Sequence, residues 1–157
     1  MNESQITIFS EKEKHHFKKL NTEWLEKFFE IEPIDHKVLD NPQTEIIDKG
    51  GHIFYLSHQN EIVGTVALIK FDADTFELSK MAVTHKMQGL GLGKILLQYC
   101  FDFCINNSIK KLILYSNTKL ESAIHLYKKV GFIEIPIQEN LYKRSDIKMQ
   151  KTFTTVN

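Results

Sequence analysis

The chain has 157 residues, 42% of them apolar, and sets 20 lysines and arginines against 20 aspartates and glutamates. That is enough apolar material for one core, so a single domain over residues 1–157 is expected. Zero net charge gives no field to draw the protein onto nucleic acid or an anionic membrane, and no apolar run reaches the ~18 to 20 residues of a spanning helix.

In chain order, Gln5 to Phe9 reads as a first strand, with Ile6 and Ile8 marking one buried face. From Glu11 to Glu30, Phe17, Leu20, Trp24, Leu25 and Phe28 recur at helical spacing and predict an amphipathic helix. Pro33 ends that pattern, and Asp35 to Leu39 form a short second helix before Asn41-Pro42. Gly50-Gly51 opens a hairpin region of two strands, His52 to His58 and Glu61 to Phe71, joined at Gln59-Asn60. Asp72-Ala73-Asp74 turns the chain into a strand from Phe76 to Val83. A glycine-rich loop, an apolar helix from Leu92 to Ile105, a strand from Lys111 to Ser116 and one more helix follow, before a β-rich tail from Phe132 to Phe153. Hairpins first and βαβ crossovers later imply an α/β (α+β) fold, a mixed sheet with helices on both faces.

The loop Gln88-Gly89-Leu90-Gly91-Leu92-Gly93 is the strongest local signal. Glycines between a strand and a helix let backbone N–H groups approach a ligand at the positive end of the helix dipole, which makes an anion site suited to phosphate. A dinucleotide fingerprint needs a third glycine where Lys94 stands, and an acidic residue at the end of the next strand, which Lys111 to Ser116 lacks. A Walker loop needs Ser or Thr after Gly93-Lys94, where Ile95 stands.

The remaining pattern, Gln-x-x-Gly-x-Gly, resembles the pyrophosphate loop of the GNAT superfamily of N-acetyltransferases. Phe76 to Val83 is similar to the strand that precedes that loop in the family, with Glu77 eleven residues before Gln88. Leu112 to Asn117, followed by Ala123, Tyr127, Gly131 and Phe132 in the spacing A-x-x-x-Tyr-x-x-x-Gly-Phe, resembles the family's second half. Phe17 to Asp35 resembles a bacterial branch of the superfamily less specifically. The resemblance implies a mostly antiparallel sheet whose splayed strand pair binds acetyl-coenzyme A. It places the pyrophosphate on Gln88, Gly89, Leu90, Gly91, Leu92, Gly93 and Lys94, and the pantetheine along Met81, Ala82 and Val83, with Asn117 and Tyr127 near it. From the residues alone, Met81 and Val83 are core positions, Asn117 is a turn or helix cap, and Tyr127 is a core aromatic.

Acyl transfer to an amine needs a free lone pair, and deprotonating a lysine-like ammonium at pH 7 costs roughly 4.6 kcal/mol. Glu77, in an otherwise apolar strand, is the candidate base, directly or through water, with its pKa raised by desolvation. It could equally anchor the acceptor's ammonium or lie on an exposed edge. The coenzyme's departing thiolate needs a proton, and the resemblance gives that role to Tyr127. Acceptor recognition falls to Phe28, Phe29, Glu30, Asp35 and Glu77, an apolar shelf with carboxylates that suits a small cationic amine. Tyr142, Lys143 and Arg144 on the tail would instead select a carboxylate, and the two hints together suit an amino acid.

The expected activity is N-acetylation of a primary amine of a small molecule, amino acid or peptide, by direct transfer in a ternary complex without metal. The alternatives are a sensor or structural module that binds acetyl-coenzyme A without turnover, and transfer to a hydroxyl or of a longer acyl group. Cys100 and Cys104 sit mid-helix as small core residues and not as nucleophile or zinc ligands, and the histidines show no ligand spacing. Met1-Asn2-Glu3-Ser4 has no signal-peptide character, so a cytoplasmic monomer or homodimer is expected.

Overall fold

The computed structural model describes residues 4–139 and 141–153, so Met1 to Glu3, on which the reading of the leader rests, lie outside it. Seven strands form one sheet: β1 (Ser4–Ile8), β2 (His52–His58), β3 (Glu61–Lys70), β4 (Thr75–Val83), β5 (Lys111–Ser116), β6 (Ile133–Ile135) and β7 (Ile147–Thr152). Their spatial order is β1-β2-β3-β4-β5-β7-β6, and every neighbouring pair is antiparallel except β4 and β5. Four helices cover the sheet: α1 (Lys14–Phe28), α2 (Pro33–Asp40), α3 (Leu92–Asn106) and α4 (Glu121–Lys129).

Strand alternation divides the core into two layers, as a sheet with helices on both faces requires. Phe54, Leu56, Val66 and Leu68 pack with Leu96, Leu97, Cys100 and Phe101 of α3 and Ile124 of α4. Their neighbours Ile53, Tyr55 and Ala67 face the other way, onto Phe17 and Leu25 of α1, Leu39 of α2 and Ile46. Cys100 and Cys104 are both free thiols inside the first layer. The β2–β3 turn carries Gln59 and Asn60 at φ 53° and 66°, the left-handed pair that matches strand twist in a two-residue hairpin.

Three expectations need correction. Ile6 packs on the core, but Ile8, the last residue of the outermost strand, is 71% exposed. The first helical pattern opens as a 3-10 turn, Glu11–Glu13, and stops at Phe28, where Phe29 takes extended dihedrals (φ −148°, ψ 178°). Among the described residues of the tail, β6 and β7 are strands, and 136–139 and 141–146 carry no helix or strand. A π-helical turn over Gln43–Ile47, which no periodicity signals, seats Ile46 in the core.

Strand β4 positions everything that follows. Thr65 pairs with Ala82 and Ala67 with Ser79, so Val66 alone opposes both Lys80 and Met81. This bulge places Lys80 at φ 53°, a left-handed conformation uncommon outside glycine. A bulge bends its strand, and β4 leaves β5 beside it: their pairing covers only Thr75 to Glu77 against Lys111 to Ile113. Beyond that point β4 stays with β3 as far as Val83, β5 stays with β7 as far as Ser116, and a wedge opens between them.

Candidate active site

At the far end of β4 the chain passes a 3-10 turn, His85–Met87, into the glycine loop. Gly89 (φ 83°) and Gly91 (φ 76°) are left-handed, and Gly91 is the N-cap of α3. A Cβ built at Gly89, Gly91 or Gly93 would meet no atom within 4 Å, so all three glycines border open space. The first helix-closing bond runs from the Ile95 N–H to the Gly91 carbonyl, which leaves the N–H groups of Leu92, Gly93 and Lys94 without intrahelical acceptors. The side chain of Leu92 is buried and fixes the helix start, while Gln88, Leu90 and Lys94 are exposed. Bare backbone, outward N–H groups and a helix dipole form a cradle that fits a pyrophosphate.

The wedge itself encloses a cavity. Leu78 to Met81 of β4 and Leu114 to Asn117 line it from the two parted strands, and Trp24, Phe29, Ala123, Tyr127 and Tyr142 complete the wall. Glu77 stands at its base, where β4 and β5 part. Burial raises the Glu77 carboxyl above the usual range, against the opposing pull of the Tyr142 hydroxyl, Lys80, Ser79 and Arg144. The Tyr142 hydroxyl donates to Glu77 Oε2 at 3.0 Å. The Tyr127 ring meets Phe132 edge to face at 5.8 Å, and burial pushes its hydroxyl up to about 12, which keeps the phenol protonated at neutral pH. A carboxylate able to take a proton and a phenol able to give one therefore line the same space.

Behind this cavity lies an ion cluster. Asp35 is fully buried and accepts four hydrogen bonds: from the Glu32 N–H (2.9 Å), Lys80 Nζ (2.6 Å), Arg144 Nη1 (2.6 Å) and Arg144 Nη2 (2.9 Å). Burial opposes its charge, but the Arg144 and Lys80 partners win and hold its carboxyl down at about 2. Arg144 Nη1 also donates to Glu32 Oε2 at 2.9 Å. Burial lowers the Lys80 ammonium below the lysine range despite the Asp35 carboxylate beside it. The Tyr142 ring has Lys80 Nζ 5.1 Å and the Arg144 guanidinium 4.8 Å from its centroid.

Of the residues expected to meet the acceptor, Phe29 and Glu77 line the cavity. Asp35 does not: the reciprocal capping box with Glu32 at the start of α2 turns it inward, where Arg144 and Lys80 saturate both oxygens. Glu30 is exposed and the Phe28 ring lies tilted against Trp24 at 5.4 Å, both off the cavity wall. Arg144 lines the cavity but its guanidinium is bonded to Asp35 and Glu32, and Lys143 is exposed, so the carboxylate-selecting reading of the tail loses its donors. Met81 and Asn117 line the cavity, whereas Ala82 is buried and Val83 partly so. The Asn117 amide donates to the Arg144 carbonyl at 2.6 Å and accepts from the Lys119 N–H at 2.9 Å, the turn-capping geometry. Sequence reading missed Lys80, Asn21 and Tyr115. A lysine inside the apolar run of β4 was the available sign that a buried acid must face it.

A mostly antiparallel sheet that splits at one short parallel pair, with a glycine loop beyond the split, defines the GNAT fold class. Solved structures share it across nearly the whole chain. A GNAT-family acetyltransferase from Staphylococcus aureus Mu50 superposes with TM-score 0.84 at 23% identity, covering 95% of this chain and 98% of its own. The spermidine N-acetyltransferase of Vibrio cholerae, solved with CoA and spermine, gives 0.72 at 18% identity, covering 97% and 96%. At these identities the likeness speaks for the fold alone. Residues 17–132 match the acetyltransferase (GNAT) family, and the chain belongs to that family. Among curated relatives, the alanine N-acetyltransferase of ribosomal protein bS18 from Escherichia coli K12 is 31% identical over 88 residues, 56% of this chain and 60% of that enzyme. The Haemophilus influenzae enzyme of the same name is 30% identical over 121 residues, 76% of this chain and 82% of its own. The match thus spans only about 60% of the length of the first of these relatives.

Proposed function

We propose that the protein is an N-acetyltransferase that moves the acetyl group of acetyl-coenzyme A to a primary amine by direct transfer. The observation that carries this reading is the meeting of Glu77 and Tyr127 in one cavity, inside the split between β4 and β5. The glycine cradle at α3 would hold the pyrophosphate, and the unpaired edge of β4 from Leu78 to Val83 would hold the pantetheine amides. When bound, the coenzyme supplies an activated acetyl thioester. Glu77, with a carboxyl raised by burial, accepts the proton that the ammonium must lose, directly or through water. Tyr127 keeps its proton at neutral pH, would give it to the leaving sulfur as the acetyl C–S bond breaks, and would be reprotonated by the second proton that the nitrogen sheds as the amide forms. Asn117 donates to the Arg144 carbonyl and so ties the tail to the end of β5 at the cavity wall. The names of the bS18 and spermidine enzymes, both N-acetyltransferases, support the amine as acceptor class. The test is release of free thiol from acetyl-coenzyme A across a panel of amines, amino acids and peptides. Transfer to amines supports the reading; coenzyme binding with no turnover on any amine refutes it.

A further inference from the structure

The charges around the cavity decide what an acceptor can carry besides its amine. Three acids and two bases form the cluster: Glu32, Asp35 and Glu77 against Lys80 and Arg144. With Glu77 ionised, one negative charge stands without a partner of its own. Both cations are committed. Lys80 donates to Asp35 at 2.6 Å from a side chain only 4% exposed. Arg144 spends Nη1 on Glu32 and Asp35 and Nη2 on Asp35. The amide of Asn21 donates to the Phe17 carbonyl at 3.0 Å, within its own helix. Lys119, at the rim, donates to the Phe28 carbonyl at 2.9 Å and sits 4.1 Å from the Phe29 ring centroid.

The rest of the wall mixes aromatic and apolar side chains with the hydroxyls of Ser79, Ser116 and Ser145 and with the Asn117 amide, which is spent on the Arg144 carbonyl. The Trp24 and Phe29 rings lie 5.8 Å apart, as do those of Tyr115 and Tyr142, and Leu25 and Leu120 line the same space. Aromatic faces attract an ammonium, and Glu77 gives it a counter-charge. A carboxylate carried into the same space would lose its water and meet cations whose hydrogen bonds are already made.

We propose that the acceptor is a small primary amine with an apolar body and no carboxylate, its ammonium at Glu77 and its body between Trp24, Phe29 and Tyr115. This rests on the acetyltransferase reading of the same cavity, and it sets aside amino acids as acceptors.

The experiment uses matched pairs on the full chain saturated with coenzyme A: 2-phenylethylamine against phenylalanine, and 3-methylbutylamine against leucine, each with the amino acid's methyl ester. Binding is measured by calorimetry, and turnover separately with acetyl-coenzyme A. Each amine should bind at least ~10-fold more tightly than its amino acid, and the ester should recover most of that gap, because it removes the charge and keeps the size. Glu32→Gln, which removes one of the two negative charges that face the Arg144 guanidinium, should narrow the gap. Equal or tighter binding of the amino acids overturns the proposal, as does binding of neither member of a pair or turnover confined to peptides. The amine preference in binding without any turnover would instead remove the transferase reading, so the two failures are distinct.

Discussion

Replacing Asp35 by Asn tests whether the buried cluster holds the site together. Asparagine keeps the size, removes the charge, and turns an NH₂ group toward donors that need acceptors. Four hydrogen bonds end on Asp35, three of them from Lys80 and Arg144. Breaking a buried pair by removing one partner costs about 3 kcal/mol or more, since the remaining charge is left desolvated. Ionisation gives an independent measure. The carboxyl falls from an ordinary 3.8 to about 2, which corresponds to ~2 kcal/mol of stability. Because the folded value is the depressed one, this contribution is complete above the unfolded pKa and disappears as pH falls through about 2. Urea unfolding followed by circular dichroism should therefore show a loss of about 2 to 3 kcal/mol at pH 7, and less at pH 3. The melting temperature should drop by roughly 5 to 10 °C for a chain of this size. Adding Lys80→Met, which removes the stranded ammonium, should restore part of the loss. A loss below ~1 kcal/mol at pH 7 would refute the argument that the cluster is a closed, desolvated unit.

Three further substitutions separate the parts of the site. Gly93→Ala meets open space and no left-handed backbone, so the fold should be unharmed; coenzyme A affinity by calorimetry should nevertheless fall ~10-fold or more, and an unchanged affinity would remove the cradle. Tyr127→Phe keeps the ring against Phe132 and deletes the proton, so turnover should fall by ~10²-fold with coenzyme affinity nearly constant, whereas unchanged turnover would return Tyr127 to packing. Tyr142→Phe keeps the ring between Lys80 and Arg144 but removes the donor that favours ionised Glu77. The acid limb of the pH profile of kcat/KM should then move to higher pH, and an unmoved profile would make Tyr142 a spacer only.

What could be read from the sequence was whatever is local. Strand β4 was expected from Phe76 and begins at Thr75; α3 was expected from Leu92 to Ile105 and runs to Asn106. Period-two and period-3.6 patterns fix such elements because one face of each is buried. The left-handed turn at Gln59-Asn60 also left its mark, in the two polar residues between apolar runs. The ion cluster left one mark, Lys80 within β4, and nothing that named its partners. Asp35 and Lys80 are 45 residues apart, and Asp35 and Arg144 are 109 apart, so their pairing depends on the sheet order and on an irregular segment with no period of its own. For the same reason Asp35 read as a carboxylate facing the acceptor: nothing in the first turn of a helix tells such a group from one that caps inward. The bulge at Lys80 was equally silent, since no glycine or asparagine marks its left-handed backbone.

The two thiols in the core have a practical consequence. Nucleophilic attack on a disulfide reagent requires a thiolate. Burial pushes Cys104 up to about 12 and Cys100 higher still, and these are the chain's two cysteines. In a folded sample at neutral pH, both sulfurs should stay colourless toward an aromatic disulfide for as long as the layer around α3 remains closed. If the proposed transfer takes place, a prompt chromophore would come from the coenzyme thiol it sets free, and a slow later rise would report opening of the helix layer, so one cuvette would record both turnover and the integrity of the fold.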